Sequence, residues 1–323
     1  MPDKEDFKIM THLDKNCRIT SSKLALKMGL SKQAINKRIK NLKKEGFIID
    51  YFTLVDYFKL GFNNLNLFLK LEGLSTEENE KVIHELKNHR HTGWVSELFG
   101  EYDIGISLFY KKTNEIEDSL NFIHSLISTK IVAEKQIVIT KNIIPSIIFR
   151  DLDITEIRNY HNFSSGVSQI ELNNLDRKII SLLNTNSRVS FATLSKSLTI
   201  TPNAVKYRIK QLEKLGVIGG YKTLLNYNKL GFLWYLVFIE TFPGSDLNSL
   251  IQEIKEHHST VFISQTLDKG LMVDFIAKDV FELKRNLNYF KNKFYKVVRK
   301  YPTMNVIKIH KLKPLIDLDA GRE

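Results

Sequence analysis

The sequence predicts an α+β chain made of two similar halves, each a helical segment followed by a β-α-β-β-α-β segment. Three observations carry that expectation: an internal repeat, a switch from helical to strand periodicity within each repeat, and a charge that follows the same partition. Shifting the 323-residue chain by 170 positions superimposes Asp6–Phe62 on Asp176–Phe232 without a gap, and 23 of the 57 positions are identical. The identities are densest where Tyr51, Thr53, Leu54, Tyr57, Lys59, Leu60, Gly61 and Phe62 meet Tyr221, Thr223, Leu224, Tyr227, Lys229, Leu230, Gly231 and Phe232. The net charge of +12 is divided unevenly. Residues 1–62 carry +6 and 163–232 carry +7, whereas 63–162 carry −4 and 233–323 carry +3.

Composition narrows the class. A hydrophobic share of 43% is enough to build cores, which excludes wholesale disorder. No apolar run approaches the roughly 18 residues of a membrane span, and the N-terminal MPDKEDFK is charged where a signal peptide needs an apolar stretch. The one cysteine, Cys17, can neither close an internal disulfide nor hold a metal alone. A soluble, reduced, cytoplasmic protein with no membrane partner is expected.

In the first helical segment, Phe7, Ile9, Met10 and Leu13 give Asp6–Leu13 one buried stripe. Thr20 caps a second helix over Ser21–Met28, stopped by Gly29, and Ser31 caps a third over Lys32–Glu45, stopped by Gly46. Ile35, Ile39 and Leu42 have the spacing of a core-facing stripe. In the second copy Thr201 is the cap, Pro202 takes the first helical position, and Val205, Ile209, Leu212 and Gly216 repeat the stripe and the stop. A short β-like piece follows each third helix, Phe47–Thr53 and Val217–Thr223, where a wing would lie.

The short turns Gly29-Leu30-Ser31 and Thr199-Ile200-Thr201 fit a helix-turn-helix, whose second helix enters the major groove of DNA. Opposite its stripe the first copy presents Lys32, Gln33, Asn36, Lys37 and Lys40, and the second presents Pro202, Asn203, Lys206, Tyr207 and Lys210. Glutamine and asparagine can read adenine edges, while lysine can meet phosphate or guanine. Arg18, Arg188, Arg38 and Arg208 recur at matching positions and complete the candidate DNA-binding set. Arg38 and Arg208 are as well placed to pair with a first-helix carboxylate, Asp6 or Asp176. A lysine-rich face alone is usually just a solvated face. Caps, turn, stripe and basic face in one order, twice, point to double-stranded DNA as a partner.

The intervening segments change period. Leu65, Leu67, Leu69 and Leu71 alternate through a strand at Asn64–Glu72, and Ser75 caps a helix to about Asn88. Strands Trp94–Phe99 and Ile104–Tyr110 flank the turn Gly100-Glu101-Tyr102-Asp103, and a helix Glu115–Ile127 precedes a strand Val132–Ile144. The second copy reads as strand Leu233–Thr241, helix Asp246–His257, strands Val261–Thr266 and Leu271–Ala277, helix Val280–Arg299 and strand Met304–Lys311. Both show the ferredoxin-like order. Each such sheet bears helices on one face, so the open faces are expected to pack sheet to sheet as an intrachain pseudo-dimer.

The expected domains are winged helix-turn-helix units at 1–62 and 173–232, ferredoxin-like modules at 63–145 and 233–316, a linker at 146–172 and a tail at 317–323. Phe163–Gly166 is expected to be the loosest part of the join.

This arrangement resembles the Lrp/AsnC transcriptional regulators, the leucine-responsive or feast/famine family, over nearly the whole chain and twice. The most specific stretches are Ser31–Tyr51 with Leu54–Phe62, Thr201–Tyr221 with Leu224–Phe232, and the Gly100–Asp103 turn. The resemblance implies a tandem duplication, dimerisation through the αβ modules, further homo-oligomerisation, and an amino-acid effector bound near that turn. Gly100, Tyr102 and Asp103 are then the effector-binding candidates, with a plain hairpin role as the competing reading. The second copy has Leu267-Asp268-Lys269-Gly270 there and lacks the motif.

Two alternatives remain: an enzyme like the siroheme decarboxylases of haem biosynthesis, which look similar in fold, and a small-molecule sensor or scaffold without DNA binding. The decarboxylases resemble one another through an arginine-rich turn after the wing and a histidine in the αβ module. Here Phe52-Thr53-Leu54 and Lys222-Thr223-Leu224 stand after the wings. Glycine-rich phosphate motifs are absent, as is a nucleophile elbow, and His89, His91, His257 and His258 lack metal-site spacing. No catalytic residue, cofactor or metal is expected.

Overall fold

The computed structural model describes residues 2–143 and 162–312, so residues 146–161 of the expected linker at 146–172, and the tail at 317–323, lie outside the described residues. The first helical unit comprises α1 (Lys4–Lys15), α2 (Ser21–Met28), α3 (Lys32–Lys44) and β1 (Ile48–Val55). The first αβ module follows as β2 (Asn63–Leu71), α4 (Thr76–Asn88), β3 (Thr92–Phe99), β4 (Ile104–Tyr110), α5 (Thr113–Ile127) and β5 (Ile131–Ile143). After the short strand β6 (Phe163–Ser164) come α6 (Asn174–Thr185), α7 (Phe191–Leu198), α8 (Pro202–Lys214) and β7 (Ile218–Leu225). The second module is β8 (Leu233–Thr241), α9 (Asn248–Glu256), β9 (Thr260–Thr266), β10 (Leu271–Ala277), α10 (Val280–Lys293), β11 (Val298–Lys300) and β12 (Thr303–Lys311). Helix α10 stops at Lys293 rather than at Arg299, because the chain turns at Phe294 into β11, which pairs with β8.

Strands β1 and β7, each expected as a wing of its own unit, pair with one another antiparallel, with Tyr51 opposite Thr223 and Thr53 opposite Tyr221. The pairing is reciprocal. Asp56 N donates to Val217 O at 2.8 Å, and with the units exchanged Asn226 N donates to Phe47 O at 2.9 Å.

Within the modules the sheet orders are β5-β2-β4-β3 and β12-β8-β10-β9. The sheets do face each other, but they also join at their edges, β5 to β9 and β3 to β12, closing eight antiparallel strands into a barrel. Leu67, Leu69, Ile104 and Ile106 pack outward against α4 and α5, and Val237, Ile239, Val273 and Phe275 against α9 and α10. The alternate residues face inward. There Phe68 meets Phe238 edge to face with centroids 5.0 Å apart. Gly105 has room for no side chain, since a Cβ would lie 2.4 Å from the Trp94 ring.

Phe163, expected in the loosest part of the join, is buried and pairs with Asn142 of β5. It rests against Gly219, whose Cβ would lie 2.5 Å from its ring. The apolar ring finds a slot between the β1–β7 pair and the barrel, and its burial holds this part of the join in place.

At the barrel end nearest the helical units, the interior leaves a cavity of about 210 Å³, roofed by Phe52 and Leu54 and walled by Trp94, Phe109, Trp234 and Phe262. Asp274 faces it. Desolvation raises the Asp274 carboxyl to about pH 7, against the opposing effect of the Trp234 indole, which donates to Oδ1 at 2.7 Å. Because the folded state keeps this proton longer than the unfolded chain does, stability falls as pH rises from about 4 to about 7. Asp274→Asn, which never ionises and can still accept from Trp234, is therefore expected to resist urea better than the parent at pH 8, with the gap closing toward pH 4. An unchanged difference across that range would contradict the assignment.

A second buried charge breaks the symmetry of the halves. Lys222 Nζ lies 3.0 Å from Asp14 Oδ2, and both side chains are at most 2% exposed. Their counterparts 170 positions away are Phe52 and Asn184, and Asn184 donates to the Tyr57 hydroxyl at 3.0 Å. Lys222→Met leaves Asp14 without its ammonium and should cost about 3–5 kcal/mol in urea unfolding. The double change Asp14→Asn with Lys222→Phe copies the other half and should recover most of that loss.

Candidate nucleic-acid interface

The helix-turn-helix geometry follows from local caps. Thr20 and Ser31 accept from the amides of Lys23 and Ala34, closing the N-termini of α2 and α3. Ser190 and Thr201 do the same for α7 and α8. Gly29 ends α2 in the left-handed region at φ 66°. In the second unit that position is Thr199 at φ 55°, a β-branched residue where Cβ crowds the carbonyl.

On α3, Ile35 and Leu42 are buried, whereas Lys32, Gln33, Asn36, Lys37 and Lys40 are exposed. On α8, Val205, Ile209 and Leu212 are buried, whereas Pro202, Asn203, Lys206, Tyr207 and Lys210 are exposed. Asn36 is positioned by Ser21, whose hydroxyl donates to its Oδ1 at 2.6 Å. Each helix thus turns one basic, hydrogen-bonding face to solvent.

The four arginines lie differently. Arg38 binds Asp3 and Asp6 at 2.8 Å each, tying α3 to α1, and the Asp6 amide together with Arg38 holds the Asp3 carboxyl below its usual range. Arg208 makes two hydrogen bonds to Asp176 in the second unit. Arg18 donates to Ser187 O and stacks over Phe191 and Tyr221, while Arg188 stacks over Tyr51. The first two brace their own unit and the other two bridge the units. A guanidinium is planar and more weakly hydrated than an ammonium, so it pairs with carboxylates and stacks on aromatic faces more readily.

Lys59 and Lys229 fall in the most similar stretch of the repeat, but no motif or periodicity in the sequence marks a role for them. Lys59 Nζ donates to Leu215 O, the C-cap carbonyl of α8, at 2.7 Å, and Lys229 Nζ donates to Glu45 O, the C-cap carbonyl of α3, at 2.7 Å. Each unit therefore caps the exposed basic helix of the other with a cation at the negative end of its dipole. Gly216 and Gly46 make room at φ 69° and 74°, and a Cβ on Gly216 would lie 2.5 Å from Lys59 Nζ.

The Gly100–Asp103 turn joins β3 to β4. Asp103 accepts from Lys70 Nζ and from Leu71 N, both at 2.8 Å, Tyr102 is buried, and Gly100 lies over Met304. Burial pushes the Cys17 thiol up to about 12 and His89 down to about 4, so neither is charged near neutral pH. Among the described residues no cluster of three metal-ligating side chains occurs, and no helix is long and apolar enough to cross a membrane.

A family profile described as winged helix-turn-helix DNA-binding matches residues 2–49 and 172–218. An uncharacterized HTH-type transcriptional regulator of Pyrococcus furiosus is 34% identical over 122 residues, which are 38% of this chain and 80% of that protein. The chain belongs to the HTH-type transcriptional regulators. The HTH-type transcriptional regulator Ptr1 of Methanocaldococcus jannaschii is 30% identical over 95 residues, 29% of this regulator and 64% of the other. Among solved structures, the siroheme decarboxylase NirDL shares the fold, with a TM-score of 0.61 and 14% identity over 95% of this chain and 92% of that one.

Thr199→Gly gives the second turn of this regulator the residue that the first already has. Relief of the left-handed strain, less the entropy of glycine, should stabilise the chain by about 0.5–1 kcal/mol in urea unfolding. A destabilised variant would show that Thr199 is held by something other than the turn.

Proposed function

We propose that the chain is a sequence-specific, double-stranded-DNA-binding regulator of the Lrp/AsnC type, a tandem duplication acting in the cytoplasm as its own dimer. The observation that carries this reading is the pair of basic faces on α3 and α8, each helix capped by the other unit's lysine. Lys32, Gln33, Asn36, Lys37 and Lys40 address one half-site, and Asn203, Lys206, Tyr207 and Lys210 address the other, about one DNA turn away. Because Lys37 stands against Tyr207 and Gln33 against Asn203, the operator is an imperfect palindrome. A small effector such as an amino acid changes affinity or further assembly rather than undergoing reaction.

A second reading, an enzyme acting on a tetrapyrrole, is favoured by the fold shared with NirDL along nearly the whole chain. It lacks support from Phe52-Thr53-Leu54 and Lys222-Thr223-Leu224, which lie within β1 and β7 and contain no arginine.

Replacing Lys37 and Lys40 by Glu should abolish binding to selected genomic DNA without loss of folded protein, since both side chains are exposed. For the parent, about six phosphate contacts give a log–log salt slope near −5. Undiminished affinity in the double variant, or binding indifferent to salt, would overturn the assigned face.

A further inference from the structure

The cavity at the mouth of the barrel combines features that packing alone does not require. Asp274 lies deep in the fold as one of the residues that line this cavity, and part of its surface remains accessible to a water-sized sphere. Its carboxylate accepts one hydrogen bond, from Trp234, and among the described residues no cation pairs with it. Another buried carboxylate, Asp14, has Lys222. An enclosed anion without a counter-charge is unfavourable, and a ligand that brings a cation removes that cost.

The remaining walls suit the rest of such a ligand. Asn66 and Ser107 are inward-facing polar residues on neighbouring strands, and the only contact of the Asn66 amide nitrogen among the described side chains is the Met272 sulfur at 3.9 Å. The rings of Trp94, Trp234, Phe109 and Phe262 line the space and present faces that attract ammonium groups. Its volume of about 210 Å³ fits a molecule smaller than the usual drug-sized ligand.

We propose that this cavity is a binding site for a small primary amine with an aromatic or aliphatic body, whose ammonium pairs with Asp274 while its body packs between Trp94 and Trp234. The carboxylate of a free amino acid would add a second anion beside Asp274, and no lysine or arginine is among the described lining residues, so amines without a carboxylate bind better. The roof of the site is β1, the strand that pairs the two helix-turn-helix units. A bound amine therefore acts where the relative placement of α3 and α8 is set. That regulatory consequence rests on the proposed DNA binding, whereas occupancy of the cavity does not.

The chain contains two tryptophans, and both line this cavity, so the intrinsic emission of the full-length protein reports on it directly. Titration with 2-phenylethylamine in the absence of DNA is expected to change the emission saturably. 2-Phenylethanol and L-phenylalanine should bind at least tenfold more weakly, and Asp274→Asn should lose at least tenfold for the amine alone. No saturable change with the amine at millimolar concentration, or equal affinity for the alcohol, overturns the proposal. The comparison of ligands is made on the parent protein and stands even if the variant fails to fold. Gel-shift titrations with and without the amine then test regulation separately: binding to the cavity without any DNA complex would count against the regulator reading and leave the site intact.

Discussion

The antiparallel pairing of β1 with β7 is the constraint on which the rest of this structure depends. A single β-strand after a helix-turn-helix leaves a row of unpaired amides and carbonyls, which must find partners or stay wet. Here each strand satisfies the other across the units. That pairing brings Lys59 within reach of the end of α8 and Lys229 within reach of the end of α3. It also sets β1 over the barrel, where Phe52 and Leu54 close the internal cavity. The exposed basic helices, their mutual caps and the cavity roof are thus three consequences of one register.

The pairing is between unlike partners, and the core beneath it says so. At one of the two equivalent positions a buried ammonium meets a buried carboxylate, and at the other an amide meets a phenol beside Phe52. Association of two first units would place Asp14 against Phe52 and leave the carboxylate without a cation. Such a mismatch costs several kcal/mol and favours intrachain pairing over exchange between molecules. A further asymmetry lies nearby. Thr53 and Ser187 share a hydrogen bond of 2.8 Å, whereas the equivalent Thr223 faces the position where Cys17 replaces serine, and its buried hydroxyl has no partner among the described residues.

Local features were legible in the sequence because they depend on near neighbours. Thr20, Ser31, Ser75 and Thr201 cap the helices that their positions suggest, and the alternating leucines of β2 divide core from barrel interior. The pairing of Arg38 and Arg208 with first-helix carboxylates was among the alternatives, since each fork lies one packed helix from its partner. What could not be read depends on which surfaces meet. Periodicity assigns β1 to a strand but not to a partner, so the bridging role of Arg18 and Arg188 and the caps from Lys59 and Lys229 were hidden. Phe163 sits in a polar stretch and gives no periodic signal, although Gly219 leaves it a slot. Asp274 interrupts an apolar strand, a mark of a buried polar position, but only barrel closure shows that it faces an enclosed space.

The central claim is that mutual pairing holds the two basic helices at one separation. It is tested most directly by spin labels placed through new cysteines at the exposed positions Gln33 and Asn203. Native Cys17, fully buried with its thiol pushed up to about 12, competes poorly for the label. A single narrow distance in the free protein, broadened when Lys59 and Lys229 are both replaced by Met, is the predicted result. A broad distribution in the parent chain, or one indifferent to those two replacements, would contradict the account.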